Sequence, residues 1–197
     1  KQQVFWKEYL SGFDSPTLLP FVSSTKERNK GGQDICKEIL QIDSPVSTTL
    51  ANYAKENQIT VNTLIQGVWA YILAQYTACE EVVYGVVVSG RPESLARAEQ
   101  RVGLYINTLP LYAKLSKNIL LADWLKGIQA EQSKARVFEH TALNSIQQWQ
   151  GIRGDFFDSI LVFQNFPIED VVSQIGEDQV VQNGEESHAF KVDNVTV

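Results

Sequence analysis

The sequence of 197 residues is poor in the side chains that most often carry catalytic or metal-binding chemistry. It contains two histidines, two cysteines and no methionine. Cys36 and Cys79 lie far apart and lack the spacing of metal ligands, so we expect two reduced, buried thiols and no metal site. Because the chain opens on Lys1 rather than methionine, we also expect a processed or excised piece of a longer protein.

Long apolar runs and clusters of positive charge are missing as well. No stretch approaches the roughly 20 apolar residues of a membrane-spanning helix, and no signal peptide is visible. Against 23 aspartates and glutamates there are 17 lysines and arginines, which gives a net charge of −6. An acidic chain without a basic run is poorly suited to nucleic acid or to an anionic membrane. We therefore expect a cytoplasmic protein that binds neither.

What the sequence does contain is the composition and patterning of a globular lobe. Its 44% hydrophobic and 20% charged residues are ordinary globular values. Alternating and β-branched runs predict strands at 35–42, 82–88, 104–115, 156–166 and 188–197. Helical segments lie between them in irregular order, and βαβ alternation breaks between 82 and 115. The predicted class is therefore α/β without the regular doubly wound order.

Helical spacing predicts five helices. Two short ones lie at 2–11 and 141–149, and the remaining three are predicted to begin at the capping residues Ser44, Thr60 and Asn118. The strongest periodic signal follows Thr60, where apolar residues recur at spacings of three and four. They form a wide apolar face of Val61, Leu64, Ile65, Val68, Trp69, Ile72, Leu73 and Tyr76.

The residues alone provide no self-sufficient catalytic set. Neither His140 nor His188 has a plausible nucleophile at short range, and no nucleophile-elbow pattern supports a Ser-His-Asp arrangement, although one assembled in three dimensions stays open. Gly31-Gly32 lies in a polar linker and not between a strand and a helix, so it is not a phosphate loop. Asp155 and Asp158 fit a turn position and a solvated position better than a paired acid and base.

Four segments, taken in order, carry a resemblance to a known family. They are VVYGVVVSGRPE (82–93), VGLYINTLPL (102–111), HTALNSIQQW (140–149) and FDSILVFQNFP (157–167). In this order and at this spacing, the chain resembles the second half of a condensation domain of nonribosomal peptide synthetases. The opening FWKEYLSGFDSPTLLP resembles the stretch that leads into that half, so the resemblance covers nearly the whole chain.

The resemblance implies an architecture. Condensation domains are built like chloramphenicol acetyltransferase, from two similar lobes that form a V with the active site in a tunnel at their junction. The chain would then be one lobe, an α+β sandwich with a mixed sheet covered by helices. Residues 1–34 would be a lead-in helix and linker from the first lobe, and residues 35–197 the C-terminal lobe, incomplete at its C-terminus. The N-terminal lobe and an adjacent adenylation domain are implied partners.

The resemblance also implies a reaction. The family forms peptide bonds between aminoacyl or peptidyl thioesters, which carrier proteins deliver on phosphopantetheine arms, and the lobe itself binds no cofactor directly. The family signature His-His-x-x-x-Asp-Gly lies on the first lobe and is absent here, so we expect no catalytic residue in this chain and no activity of the chain alone. A noncatalytic or epimerising relative and a carrier-protein-binding module stay open. The role of His140 is also open, because FEHTALNSIQ departs from the family's usual sixth motif.

Six residues are candidates for the wall of the substrate tunnel. Gly90 and Gly103 would allow a close approach of the backbone. Arg91 would anchor a carboxylate or steer a phosphate, with a structural salt bridge as the alternative. Asn107 would offer its amide to a thioester or would stabilise a turn. The full set is Ser89, Gly90, Arg91, Gly103, Asn107 and Thr108.

Overall fold

The computed structural model of the protein describes residues 1–20, 37–90, 97, 101–152 and 154–164, and the backbone of 191–193. The helices are α1 Gln2–Tyr9, α2 Ser44–Glu56, α3 Val61–Thr77, α4 Leu121–Arg136 and α5 Leu143–Gln150. The strands are β1 Ile39–Gln41, β2 Glu81–Val88, β3 Asn107–Lys114, β4 Ile160–Leu161 and β5 Lys191–Asp193. The predicted mixed α/β class is confirmed. None of the helices in the described ranges is long and apolar enough to cross a membrane.

Among the described residues, β2 is the central strand of a three-stranded mixed sheet with the order β3-β2-β4. It pairs antiparallel with β3 along its whole length and parallel with the short β4. Pro110 lies opposite Gly85, whose N–H points the other way and donates to the carbonyl of Ser159 at 2.9 Å. In the part of the chain that the structure describes, β3 is an edge strand, and Pro110 lies where the β2–β3 ladder needs no N–H from it. A second, two-stranded sheet pairs β1 with β5.

Thr17 completes the side of β2 that the two-residue β4 does not reach. Its Oγ1 accepts a hydrogen bond from the N–H of Val83 at 2.7 Å, and its own N–H donates to the carbonyl of Phe156 at 3.0 Å. Both Thr17 and Val83 are buried. A buried amide without an acceptor costs about 1–3 kcal/mol. The Thr17 hydroxyl supplies the acceptor that a neighbouring strand would otherwise provide to Val83.

α1 packs on the same hydrophobic core as the sheet. Its Trp6 is fully buried, and Gln150 of α5 donates from Nε2 to the carbonyl of Trp6 at 2.7 Å. Tyr9 accepts from the N–H of Tyr112 in β3 at 3.2 Å. Burial raises the pKa of Tyr9 to about 12, so the hydroxyl remains neutral in this contact at ordinary pH. Hydrogen bonds thus join α1 to both α5 and β3.

α3 buries a different face from the one its apolar periodicity indicates. Of the predicted apolar face only Leu64 and Leu73 are buried, whereas Val68 and Tyr76 are 50% and 59% exposed. The buried face consists of Thr63, Leu64, Gln66, Gly67, Ala70, Leu73 and Ala74. The reason is close packing of α4, because a Cβ at Gly67 would collide with the side chain of Leu125. Small residues and hydrogen-bonded polar ones therefore face the core.

The predicted helix starts are partly corrected. Thr60 caps α3 as predicted, with its Oγ1 accepting from the N–H of Thr63 at 3.0 Å. α2 is capped by Asp43 and not by Ser44, because the Asp43 carboxylate reaches the N–H of Val46 at 3.0 Å. α4 begins after Leu120, without a side-chain cap, so Asn118 lies in the preceding turn.

Strand limits and a cysteine are corrected as well. β1, β3 and β4 are each shorter than the strands predicted at 35–42, 104–115 and 156–166. Cys79, predicted to be buried, is exposed because it follows the left-handed C-terminal residue of α3 in the loop to β2. Cys36 and the loop predicted at 169–187 lie outside the described residues, as does most of the strand predicted at 188–197.

Candidate functional site at one end of the β2–β3 hairpin

The structure brings predicted tunnel residues together at one end of the β2–β3 hairpin. β2 ends at Val88, directly opposite Asn107, the first residue of β3. Ser89 and Gly90 continue from β2, and Thr108 pairs with Val87. Gly103 is exposed and lies in the segment that leads into β3, whereas Arg91 lies outside the described residues. We call this region the 88/107 end.

Gly90 contacts the backbone that leads into β3. It is buried and adopts φ +62°, and a Cβ built on it would collide with the carbonyl oxygen of Tyr105. Positive φ and backbone contact both favour glycine, because any side chain would be strained and obstructed there. This is a close approach of the kind predicted for Gly90, and the group approached is the protein's own Tyr105.

Asn107 uses its side-chain amide within the protein. Its Nδ2 donates to the carbonyl oxygens of Glu139 at 2.7 Å and of Thr141 at 2.8 Å. Its Oδ1 accepts from the N–H of Thr108 at 2.9 Å. An asparagine amide carries two N–H donors, and both are occupied here. Asn107 therefore links the start of β3 to the turn between α4 and α5.

His140 lies in that turn. It is exposed, and its Nε2 shares a hydrogen bond with the side-chain amide of Gln2 in α1. The ring of the neighbouring Phe138 lies 4.7 Å from the ring of Phe5, also in α1. These contacts assign His140 to the junction of α1 with the turn. His188 lies outside the described residues.

An exposed apolar strip precedes β3 at the 88/107 end. Val102, Leu104 and Ile106 are between 65% and 103% exposed, and the half-buried Tyr105 lies among them. Single exposed aliphatic residues are normal on a protein surface, but three within five residues form a patch. The signal in the sequence is the run from Leu104 onward, which predicts the beginning of the strand at 104–115. In the structure this segment has no partner strand among the described residues.

The opposite end of the hairpin is charged and lies beside a cavity. We call it the 81/114 end, after the pair Glu81 and Lys114, whose carboxylate and ammonium groups lie 2.5 Å apart. Glu80 and Lys117 form a second exposed pair at 2.7 Å. Hydrogen bonds from the two lysines lower the pKa of Glu80 and Glu81. A cavity of about 560 Å³ adjoins the Glu80–Lys117 pair and is lined in part by Tyr71, Ala74, Leu115, Ile119, Leu121 and Trp124.

Carboxylates and thiols do not gather into a metal site in the part of the chain that the structure describes. Asp158 has a structural contact, because its Oδ2 accepts from the N–H of Leu19 at 2.8 Å. Asp155 is exposed. The single described cysteine, Cys79, donates from its sulfur to the carbonyl of Thr77 at 3.4 Å.

Comparison with known proteins gives the family. The family model described as Condensation domain matches residues 1–195. The chain belongs to the condensation-domain family. It is 44% identical over 170 residues to a linear gramicidin synthase of Brevibacillus parabrevis, an alignment that covers 83% of this chain and 2% of that synthase. With bacitracin synthase 3 of Bacillus licheniformis the identity is 31% over 188 residues, covering 93% of this chain and 3% of that protein. The chain thus spans a small share of these relatives.

A solved structure shows the same fold. The first condensation domain of the calcium-dependent antibiotic synthetase, in complex with a substrate analogue, matches with a TM-score of 0.64 and 15% sequence identity. The match covers 98% of this condensation-domain chain and 40% of the solved one. The predicted resemblance to nonribosomal peptide synthetase condensation domains and the predicted acetyltransferase-like fold are both confirmed.

Proposed function

We propose that this chain is part of a peptide-bond-forming condensation domain and that its 88/107 end supplies one wall of the reaction site. The match of residues 1–195 to the condensation-domain model carries the first part of the proposal, and the resemblance of residues 82–93 and 102–111 to family segments carries the second. The substrates would be aminoacyl or peptidyl thioesters held on the phosphopantetheine arms of carrier proteins, and the chain itself would bind no cofactor. Its partners would be these carriers, the N-terminal lobe of the same domain and an adjacent adenylation domain.

The tunnel candidates at the 88/107 end support a positioning role and not a role in proton transfer. Ser89, Gly90, Asn107 and Thr108 contain no group that titrates near neutral pH, and His140 is hydrogen-bonded to α1. In the reaction, the acceptor amine attacks the donor thioester carbon, a C–N bond forms, the C–S bond breaks and the thiol leaves. The group that handles the amine proton would belong to a His-His-x-x-x-Asp-Gly motif, which this sequence lacks. Correct orientation of two tethered reactants supplies much of the rate in such a site.

We also propose the division of the chain predicted above. Residues 1–34 would lead in from the first lobe, and residues 35–197 would form the C-terminal lobe. The contacts of Trp6 with Gln150 and of Tyr9 with Tyr112 support an α1 that is anchored on this lobe. The anchored helix would fix the point from which the chain enters it.

The test is condensation by the two-lobed domain that contains these residues. Given donor and acceptor aminoacyl thioesters on their carriers, the domain should produce a peptidyl thioester on the acceptor carrier, detected by intact-protein mass spectrometry. The 197-residue chain supplied alone should produce none. Turnover by the chain alone would contradict the proposal, and so would an inactive domain whose His-His-x-x-x-Asp-Gly motif is intact.

A second candidate is a noncatalytic or epimerisation-type relative, or a module that binds a carrier protein without forming a bond. The observation that favours it is the departure of FEHTALNSIQ (138–147) from the family's usual sixth motif. Binding of a loaded carrier by the two-lobed domain, without product, would support this candidate over the first.

A further inference from the structure

We infer that Asn107 is a positioning residue, which holds the turn at residues 138–141 against the start of β3 and thereby shapes the wall proposed above. The expected effect of Asn107 on catalysis rests on the proposed function. Its expected effect on structure rests on the hydrogen bonds of its side chain alone. Asn107 is not assigned a contact with substrate, because its two N–H groups are occupied by the protein.

The hydrogen bonds of Asn107 fix the orientation of its amide. Glu139 and Thr141, whose carbonyl oxygens receive the two N–H groups, lie 32 and 34 residues further along the chain. The N–H of Thr108 donates to Oδ1, so the oxygen and the nitrogen of the amide cannot exchange places without losing three contacts. One side chain thus joins two parts of the fold that are distant in sequence.

The Asn107 amide contacts one side of the turn, and other interactions hold the rest of it. Its own backbone forms short-range bonds, from the N–H of Phe138 to Ala135, of Glu139 to Arg136 and of Thr141 to Phe138. Contacts with α1 hold its outer side, through Phe5 with Phe138 and Gln2 with His140. Glu139 and Thr141 are both buried. Loss of the Asn107 donors would leave two carbonyl groups in a buried region without these partners, which is costly.

The same residue also fixes the segment that leads into β3. Gly90 contacts the carbonyl of Tyr105, and Asn107 follows two residues later opposite Val88. The strip of Val102, Leu104 and Ile106 is therefore held at its C-terminal side by a backbone contact and by the amide. A change at Asn107 displaces both the strip and the turn, and both belong to the 88/107 end.

The experiment uses the two-lobed domain with single substitutions. Asn107→Asp keeps the size and one acceptor oxygen but replaces the donor with an oxygen that repels both carbonyls. Asn107→Ala removes the amide. Asn57→Ala is the matched control, because Asn57 Nδ2 also donates to a backbone carbonyl, that of Tyr53 at 2.9 Å, at the end of α2. The readouts are hydrogen exchange of peptides covering 101–108 and 138–142, and kcat and KM with loaded carriers.

Both Asn107 variants should raise amide exchange in the 138–142 peptide by about tenfold, since a buried bonded pair is lost. They should lower kcat by about 10- to 100-fold and leave KM for the carriers within about twofold, because displaced groups orient the reactants poorly. Because the defect is in kcat, a saturating concentration of carrier should not restore the rate of either variant. Asn57→Ala should leave kcat and KM unchanged and raise exchange only near residues 53–57.

Unchanged exchange in the 138–142 peptide would overturn the inference. So would an unchanged kcat, and a rise in KM at constant kcat would assign Asn107 a binding contact instead. If the unsubstituted domain forms no peptide bond, the proposed function fails and the catalytic role of Asn107 fails with it. An active unsubstituted domain with equally active Asn107 variants overturns the inference alone.

Discussion

The two ends of the β2–β3 hairpin are stabilised by different kinds of interaction. At the 81/114 end, Glu81 pairs with Lys114 and Glu80 with Lys117 on the surface, where water and salt weaken the attraction. At the 88/107 end, a buried glycine contacts a backbone carbonyl and a neutral amide joins three backbone groups. The first arrangement tolerates a change of side chain. The second depends on the position of backbone atoms, as the proposed positioning role would require.

The largest effect is expected from a side chain at Gly90. Gly90→Ala forces a Cβ into the carbonyl of Tyr105 at positive φ, so we expect the free energy of unfolding to fall by at least about 2 kcal/mol. The measurement is urea unfolding of the two-lobed domain, together with kcat for condensation.

Two other glycines separate the causes of that effect. Gly151 also has positive φ, at 72°, but a Cβ there would meet no atom within 4 Å, so Gly151→Ala isolates the backbone strain. Gly127 lies within α4 in open space, and Gly127→Ala should stabilise the domain by about 0.5–1 kcal/mol. A Gly90→Ala variant no less stable than Gly151→Ala would show that the contact with Tyr105 imposes no constraint.

An intermediate effect is expected at Thr17, which lies beside the central strand β2. Thr17→Val keeps the shape but leaves the buried N–H of Val83 without its acceptor, which should lower the free energy of unfolding by about 1–3 kcal/mol. Thr17→Ser retains the oxygen and should preserve most of the stability. A larger loss in Thr17→Ser than in Thr17→Val, measured by urea unfolding, would mean that packing of the methyl group, and not the hydrogen bond, holds this position.

The smallest effect is expected at the 81/114 end. The hydrogen bond from Lys114 is the main cause of the lowered pKa of Glu81, so the folded state binds this proton less readily than the unfolded state. The stabilisation is therefore present above the ordinary pKa of 4.5 and is lost as the pH falls through the lower folded value. Glu81→Gln should shift the urea midpoint at neutral pH less than Thr17→Val does, and the shift should shrink with added salt. A shift as large as that of Gly90→Ala, unaffected by salt, would erase the contrast between the two ends.

The fold could be predicted from the sequence wherever a local pattern determines it. The β-branched run of β2 and the cap at Thr60 depend on neighbouring residues, and both appear as expected. The buried face of α3 could not be predicted, because it depends on how closely Leu125 of α4 approaches Gly67. The residues of the predicted apolar face do recur at helical spacing, but Val68 and Tyr76 among them are exposed.

The site shows the same limit. The resemblance predicted Gly90 and Asn107 as candidates, since each belongs to a family-like segment. No pattern in the sequence predicted the partners of Asn107, because Glu139 and Thr141 offer backbone carbonyls, which every residue has. The strand predicted from residue 104 onward was wrong for the exposed strip, because alternation alone does not distinguish a covered face from an uncovered one.

The most direct test of the proposed wall is hydrogen exchange of the two-lobed domain with and without a non-hydrolysable aminoacyl thioester analogue. Slower exchange on binding is predicted for peptides covering 88–90 and 101–108, with no change for peptides covering 78–81 and 114–121. Protection confined to the 78–81 and 114–121 peptides would contradict the claim that the 88/107 end forms a wall of the reaction site.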